Sequence, residues 1–160
     1  MSAERHVYFA YGSNLDPEQM NERCPNSETL GKAILRGHRL DFTYLSRKRG
    51  CGVADVVPDP GSEVWGMLFS ITNSDRDRLD KSEGYSRETD SGAYLWRPKR
   101  VVPESNPEAE MDAFTYEVST REIPGPRPSR EYLGQILRGA KHWKLPTTYI
   151  ALLSQTSTAA

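Results

Sequence analysis

Glu83 is the residue in this 160-residue sequence whose surroundings best suit acid–base chemistry. It stands just before Gly84, a residue type that commonly ends helices, and the preceding Ser74-Asp75-Arg76-Asp77 resembles a capping box that starts one. A carboxyl group in the last turn of such a helix faces the negative end of the helix dipole, and partial burial also disfavours its ionised form. We therefore expect a raised pKa for Glu83, which suits a general acid or base at neutral pH. The alternative is a glutamate that faces solvent at a helix end.

The segment Tyr11-Gly12-Ser13-Asn14 is the second place where chemistry is expected. Residues 6–11 are strand formers and Asp16-Pro17-Glu18 is a helix start, so the sequence predicts a strand, a tight polar loop and a helix in succession. Backbone N–H groups in such a loop are free to bind an anion. The alternative is an ordinary connection in which Gly12 only permits an unusual φ angle.

Other kinds of site find little support in the sequence. It contains neither Gly-x-x-x-x-Gly-Lys nor Gly-x-Gly-x-x-Gly, so no nucleotide is expected. Ser13 and Cys24 have no nearby signature of a partner base, which argues against covalent catalysis. The cysteines and histidines are too scattered for a disulfide framework or a metal site: Cys24, Cys51, His6, His38 and His142.

Composition narrows the class of protein. A net charge of −1, from 21 basic and 22 acidic residues, gives no positive excess for nucleic-acid binding. The first residues lack the apolar stretch of a signal peptide, and no run reaches the roughly 18 apolar residues that span a bilayer. We expect a cytoplasmic protein that binds neither nucleic acid nor membrane, with one domain over residues 1–160 and a small, polar, flexible tail at 154–160.

Hydrophobic patterning predicts an α+β fold. Extended segments are expected at 6–11, from Lys32 onwards with a clear alternation at 39–44, and at 63–71, 94–102 and 111–118; helices are expected at about 16–24, 74–82, 129–140 and 147–153. Strand 6–11, apolar on both faces, is expected at the centre, Pro98 at an edge or bulge, and Gly66 at a bulge or a close approach. Five or more strands with short, non-alternating helices predict a small, mixed, mostly antiparallel β-barrel with peripheral helices.

Two further segments are predicted to be loops. Residues 46–52, Ser-Arg-Lys-Arg-Gly-Cys-Gly, are basic and form either a solvated hairpin or a contact for a substrate carboxylate. Residues 121–128 are rich in proline and lead into the third helix.

Seven segments, taken in order, resemble the γ-glutamylcyclotransferase family. They are Tyr8-Phe-Ala-Tyr-Gly-Ser-Asn-Leu15, Glu63-Val-Trp-Gly66, Leu79-Asp-Lys-Ser-Glu-Gly84, Gly92-Ala-Tyr94, Pro128-Ser-Arg-Glu-Tyr132, Gly139-Ala140 and Leu145-Pro146. No segment is decisive alone, but the ordered set is specific and spans nearly the whole domain.

The resemblance implies a small mixed α/β barrel and an enzyme that converts a γ-glutamyl amine or amino acid to 5-oxoproline and the released amine, as in glutathione metabolism, without a cofactor. It makes Glu83 the catalytic acid/base. It assigns the substrate to Tyr8, Phe9, Ala10, Tyr11, Gly12, Ser13, Asn14 and Leu15, with Tyr94 and Tyr132 lining the pocket. For both pocket tyrosines the alternative is core packing. The expected partner is a small-molecule γ-glutamyl substrate, and a homodimer is left open.

Substrate identity stays open at this point. The connection at 85–91 is polar, varies within the family and is expected to border the leaving-group side. Arg47 and Arg87 either bind a substrate carboxylate or form surface ion pairs. The rival functions are a cyclotransferase for other amines, such as a lysine side-chain conjugate or a biosynthetic protecting group, and a non-catalytic binding module that keeps the pocket.

Overall fold

Seven strands and four α-helices build the fold in a computed structural model that describes residues 4–159. The strands are β1 (Arg5–Ala10), β2 (Glu28–Ser46), β3 (Cys51–Thr72), β4 (Tyr85–Ser86), β5 (Ser91–Gly92), β6 (Tyr94–Pro103) and β7 (Met111–Val118). The helices are a 3₁₀ turn (Ser13–Leu15), α1 (Pro17–Arg23), α2 (Asn73–Ser82), α3 (Arg130–His142) and α4 (Thr147–Ser154). Residues 1–3 and 160 of the predicted domain lie outside the described range.

The five long strands close into a barrel in the order β1-β3-β2-β6-β7, and β4 and β5 form a separate two-stranded ribbon. Within residues 4–159 the barrel strands pair antiparallel, except that β1 meets β7 in parallel at Tyr8 and Phe114. Strand β1 therefore has a barrel partner on each side, and its second half is buried. The prediction of an α+β fold with a mixed, mostly antiparallel barrel is confirmed.

The long β2–β3 hairpin differs from the sequence expectation. Strand β3 begins at Cys51, twelve residues before the predicted strand at 63. Residues 51–57 are buried without a polar alternation, because the proline-rich segment covers their outer face. There the amide of Gly52 donates to the carbonyl of Arg127 at 2.9 Å. A strand covered on both faces lacks the period-two pattern by which a half-buried strand is recognised.

Two single-residue expectations about strands are met. A Cβ atom on Gly66 would lie 2.3 Å from the carbonyl oxygen of Ala10, so this glycine permits a close approach between β3 and β1. Pro98 pairs with Phe114 of β7, while β6 pairs with β2 only near Pro103. At Pro98, strand β6 therefore has β7 as its one neighbour. Such an edge position suits proline, which has no backbone N–H to donate to a second strand.

The helices lie outside the barrel, close to their predicted positions. In α3 the spacing of three and four residues predicts an apolar stripe of Leu133, Ile136, Leu137 and Ala140. Three of these side chains are at most 5% exposed and packed in the core, and Leu137 is half-buried. None of the helices within residues 4–159 is long and apolar enough to cross a membrane. Helix α4 extends to the first residue of the predicted tail, and the amide of Ala159 donates to the carbonyl of Pro128 at 2.8 Å. The flexibility of the tail stays a prediction.

Candidate active site

Glu83 is the C-terminal capping residue of α2. Its amide donates to the carbonyl of Leu79 at 2.9 Å, and Gly84 then turns the chain with φ of +66°. The start of this helix corrects the sequence expectation, because the capping box is formed by Thr72 and Asp75 rather than by the segment beginning at Ser74. The threonine hydroxyl accepts from the Asp75 amide, so the helix begins one residue earlier than predicted.

The Glu83 carboxylate is largely buried, with its side chain 16% exposed. Its Oε1 atom lies 3.4 Å from Nδ2 of Asn14 and 3.5 Å from Nη1 of Arg23. Burial raises the pKa of Glu83 above the ordinary 4.5, while the nearby charges of Arg23 and Arg49 act in the opposite direction. The structure therefore excludes the solvent-facing alternative, and burial is the main cause that raises the pKa of Glu83.

The binding loop, defined here as Tyr11–Asn14, opens on one side of this carboxylate. The 3₁₀ turn begins at Ser13, and Leu15 and Asp16 donate their amides back to the carbonyls of Gly12 and Ser13 at 3.0 Å. Within the described part of the chain, the amides of Gly12, Ser13 and Asn14 have no protein acceptor. These three N–H groups are therefore available to a ligand.

The side chain of Asn14 joins the loop to the carboxylate. Its amide nitrogen donates to the Tyr8 hydroxyl at 2.8 Å, and its carbonyl oxygen accepts from Gln19 at 2.9 Å and Arg23 at 3.0 Å. The amide nitrogen also lies 3.4 Å from Glu83 Oε1, so the one side-chain amide of Asn14 has four polar partners at hydrogen-bond distance. Asn14 thus fixes the loop, helix α1 and the acid/base candidate relative to one another.

Three tyrosines meet at the backbone of Ala54 in β3. The hydroxyl groups of Tyr94 and Tyr11 both donate towards its carbonyl oxygen, the second at 3.4 Å, and its amide donates to the Tyr132 hydroxyl at 3.0 Å. Tyr11 also donates to the carbonyl of Tyr116 at 2.6 Å. Burial raises the pKa of each of these four tyrosines, so all four stay neutral donors and acceptors at physiological pH.

These groups surround a narrow inner chamber. Its wall is formed by the binding loop, Glu83 and the tyrosines: Tyr8, Tyr11, Gly12, Ser13, Asn14, Ala54, Glu83, Tyr94, Tyr116 and Tyr132. The chamber adjoins a wider outer cleft of about 480 Å³, and the two share Ser13, Glu83, Tyr94 and Tyr132. Glu83 therefore stands at the junction between a narrow polar chamber and a wider cleft.

Most of the predicted site residues lie together in this chamber. Tyr8, Tyr11, Gly12, Ser13, Asn14, Glu83, Tyr94 and Tyr132 are all in its wall. The other three predicted residues lie behind it: Phe9 and Ala10 are buried in the core, and Leu15 offers its carbonyl to the indole N–H of Trp143 at 2.8 Å. Tyr132 is buried and also in the wall, so it both packs in the core and lines the pocket.

Three residues of the site were absent from the sequence expectations, and a fourth was named there only as part of a segment. Tyr116 and Ala54 come from strands whose inward faces carry no chemical signature, so no pattern distinguishes them from core residues. Arg23 ends α1, where a basic residue is typical in any case. Arg49 lies in the basic segment already noted, and its guanidinium stacks 4.6 Å from the centre of the Tyr132 ring.

The two arginines left open by the sequence have different positions. Arg87 pairs with Asp77 at 2.9 Å and Asp80 at 3.3 Å, so its alternative of a surface ion pair is the one observed. Arg47 lines the outer cleft. Across residues 4–159, no group of three or more acidic, cysteine or histidine side chains is arranged to hold a metal ion.

Comparison with known proteins agrees with this architecture. The AIG2-like family matches residues 63–153. A γ-glutamylcyclotransferase of Bos taurus is 33% identical over 150 residues, covering 91% of this chain and 76% of its own, and that of Homo sapiens is 32% identical with the same coverage. A solved structure described as a γ-glutamyl cyclotransferase is 30% identical, with a TM-score of 0.87 over 98% of this chain and 90% of its own.

The fold and the chamber thus define a barrel enzyme with one buried carboxylate at its site. More particularly, the chain belongs to the γ-glutamylcyclotransferase family.

Helix α3 packs at Gly139 against Leu15, the residue that follows the binding loop, and this contact leads to a testable pair of substitutions. A Cβ atom there would lie 2.4 Å from the carbonyl oxygen of Leu15, whereas one on exposed Gly134 of the same helix would meet nothing within 4 Å. We expect Gly139→Ala to lower the free energy of unfolding by about 1–3 kcal/mol through overpacking. Gly134→Ala should raise it by about 0.5–1 kcal/mol through helix propensity. Urea unfolding of both variants checks this, and changes of the same sign would contradict it.

Proposed function

We propose that this protein converts γ-glutamyl amino acids to 5-oxoproline and the free amino acid, with Glu83 as the general acid/base. The observation that carries the proposal is the position of Glu83, a buried carboxyl group with a raised pKa at the mouth of a chamber that holds three free amides. Perturbed carboxyl groups in clefts are frequent at sites of proton transfer. Membership of the family supports the same reaction class.

The substrate supplies its own nucleophile in this reaction. The α-amine of the γ-glutamyl group attacks the γ-carbonyl carbon, forming the C–N bond of a five-membered lactam, and the original γ-amide C–N bond breaks. The protein must therefore hold a curled conformer, stabilise the developing oxyanion and move protons. Holding the reacting atoms in this conformer lowers the activation free energy, because much of its entropic part is then supplied by binding.

Proton balance defines what is asked of Glu83. The α-nitrogen begins as an ammonium group with three protons and ends as a lactam nitrogen with one, while the leaving nitrogen gains two and departs as an ammonium. Glu83 moves these two protons one at a time, accepting each from the α-nitrogen and passing it to the leaving nitrogen before it accepts the next. A raised pKa suits this task because it brings the base closer to neutral pH, where both transfers must occur.

The binding loop has the complementary task. Free amides at Gly12, Ser13 and Asn14 can donate to the oxyanion that forms at the γ-carbonyl oxygen or to the substrate α-carboxylate. Tyr132 can add a hydroxyl donor of fixed position, because its oxygen accepts from the Ala54 amide and its proton has no acceptor in the described chain. The hydroxyl protons of Tyr94 and Tyr11 are directed at backbone carbonyls, so these two groups offer only acceptor oxygens. Donors held in place before the reaction need no reorganisation as charge develops.

The test is release of 5-oxoproline from γ-glutamyl-alanine, γ-glutamyl-ε-lysine and glutathione by the purified protein. Turnover of γ-glutamyl-alanine supports the proposal. Preference for γ-glutamyl-ε-lysine would favour the rival cyclotransferase for other amines, and binding of these donors without turnover would favour a binding module. The cytoplasmic location stays a prediction, which cell fractionation tests. The sequence left a homodimer open, and analytical ultracentrifugation tests for it.

The pH dependence of kcat/KM provides a second test. A base must be ionised to act, so we expect activity to fall as the pH drops through the pKa of Glu83, with the midpoint above 4.5. Arg23 lowers the pKa of Glu83, so Arg23→Gln should move this acidic limb to higher pH. Initial rates between pH 4 and pH 8, at roughly half-unit steps across the range where carboxyl groups titrate, measure both. A limb that moves to lower pH in Arg23→Gln would contradict the assignment.

A further inference from the structure

The outer cleft is strongly cationic in a protein whose net charge is −1. Five of its lining side chains are basic and Glu83 is its one carboxylate among the described residues. The basic residues are Arg23, Lys81, Arg47, Lys48 and Arg49. Since acidic residues outnumber basic ones over the whole chain by 22 to 21, this ratio is a local feature and not an effect of composition.

Two of the five cations already have partners at the inner end of the cleft. Arg23 contacts Glu83 and Asn14. Arg49 stacks on the Tyr132 ring and donates to the Gln19 side-chain oxygen at 3.0 Å and the Ser13 hydroxyl at 3.3 Å. None of the partners of Arg49 is a carboxylate, so its charge is hydrogen-bonded but not neutralised.

The other three cations are exposed and without a counter-ion. No carboxylate in the described range lies within 4.0 Å of Arg47, Lys48 or Lys81, although fifteen other ion pairs meet that limit. Lys81 stands in the last turn of α2, and the other two stand on the β2–β3 turn. The cleft therefore has unpaired positive charge on two different structural elements.

The reaction geometry places the leaving group in this cleft. If the proposed function holds, the γ-carbonyl must lie within reach of Glu83, which stands at the junction of chamber and cleft. The cleft, at about 480 Å³, is much the larger of the two, so the amino acid on the far side of the γ-amide bond extends into the cleft. Its charged groups then face the cations on both elements.

We propose that the outer cleft selects γ-glutamyl donors whose leaving amino acid carries two carboxylates, that is, an acidic leaving group. One carboxylate satisfies the cations of one element only. A second carboxylate on the side chain reaches those of the other. This inference rests on the proposed function and adds the chemical class of the leaving group.

Screening by salt follows from the exposure of these cations. Attraction between exposed charges decays over about 10 Å at 0.1 M ionic strength, and clefts of one sign raise the local concentration of oppositely charged ligands. We therefore expect the preference for an acidic leaving group to be largest at low ionic strength and to appear mainly in KM. A preference based on shape alone would not change with salt.

The test compares γ-glutamyl-glutamate with γ-glutamyl-glutamine, which differ in leaving-group charge and hardly in size. We expect kcat/KM to be about tenfold higher for γ-glutamyl-glutamate at low ionic strength, since each exposed charge contact is worth roughly a factor of 1.5 to 5. The triple variant Arg47→Gln, Lys48→Gln, Lys81→Gln should bring the ratio close to one. Each single variant should lower the ratio in part, and Arg36→Gln is their matched control, because it removes one exposed charge that does not line the cleft.

The outcomes separate the two proposals. Equal kcat/KM values for both dipeptides in the wild-type protein, or a ratio that the triple variant leaves unchanged, would overturn the inference while turnover of γ-glutamyl-glutamine still supports the proposed function. Absence of turnover for both dipeptides and for γ-glutamyl-alanine would instead contradict the proposed function. Circular dichroism of the triple variant shows whether a lost ratio reflects lost folding, and single variants replace it in that case.

Discussion

Replacing Glu83 with glutamine is expected to lower kcat for 5-oxoproline release by about 10²–10⁴-fold, the usual contribution of general acid–base catalysis. Glutamine keeps the size of the side chain and its hydrogen bonds to the binding loop, but it cannot accept and return a proton. Glu22→Gln is the matched control, because Glu22 is exposed, lies outside the chamber and has no ion pair within residues 4–159. Equal kcat in wild type and Glu83→Gln would exclude Glu83 as the acid/base.

The same substitution should make the folded protein more stable at neutral pH. The pKa of Glu83 is higher in the folded than in the unfolded protein, so ionisation above pH 4.5 costs folding free energy that glutamine does not incur. The gain should be full above the folded-state pKa, shrink as the pH falls towards 4.5 and vanish below it, where both states are protonated. Thermal unfolding of both proteins at several pH values measures this. A variant that is less stable at pH 7 would show that the loss of the Arg23 contact outweighs the relief from burial.

Replacing Arg121, the ion-pair partner of the buried Asp55 carboxylate, should lower the free energy of unfolding more than the other substitutions proposed here. Asp55 in β3 is fully buried, and its side chain accepts from Arg121 at 2.6 Å, from Thr43 at 2.8 Å and from the amide of Val118 at 3.0 Å. Arg121→Met leaves this charge without its counter-ion. We expect the free energy of unfolding to fall by about 3 kcal/mol, the lower end of the range for a broken buried pair, because the Arg121 side chain is 26% exposed.

A matched control separates this burial effect from the loss of an arginine as such. Arg100 is 58% exposed and pairs with Glu110 and Asp112, so Arg100→Met should change the free energy of unfolding by less than about 1 kcal/mol. Adding Asp55→Asn to Arg121→Met should recover part of the loss, since the charge is then absent. Urea unfolding of the four proteins provides the values, and losses of equal size for the two arginine variants would refute the argument.

The buried pair also bears on the site, because Asp55 follows Ala54 directly in the strand. Ala54 holds the hydroxyl groups of three tyrosines through its backbone alone. A displacement of β3 at Asp55 therefore reaches the chamber wall, and Arg121→Met is expected to raise KM for γ-glutamyl-alanine at temperatures where the variant stays folded.

Local sequence signals predicted the parts of the site that depend on helix and strand ends. Glu83 and the binding loop occur beside glycine and capping residues, whose backbone preferences are strong enough to be recognised without tertiary information. The stripe in α3 was recognisable for the same reason, because a helix that covers a barrel needs apolar residues at fixed intervals. These features fix where each element begins, ends and faces.

Features that depend on contacts between distant segments were not predictable in this way. Tyr116 and Ala54 enter the chamber only because the barrel closes, and nothing near them in the sequence marks that position. The first part of β3 was missed because residues 121–128 cover it, and the chain between them is more than 60 residues long. Thr72 and Ser74 are both suitable N-cap residues by side-chain type. Thr72 is the N-cap of α2 because β3 ends at that residue.

The contact at Gly139 has a consequence for how the site can move. There the backbone of α3 touches the backbone of Leu15, and Arg138 and Gln135 of the same helix each donate to Asp16 at 3.1 Å. The two residues that follow the binding loop are thus packed and hydrogen-bonded against α3. The β2–β3 turn is joined to the same region, because Arg49 stacks on the Tyr132 ring and donates to the side chains of Ser13 and Gln135. The donors of the binding loop are therefore held from two sides before a substrate arrives, so binding should require little rearrangement of the loop.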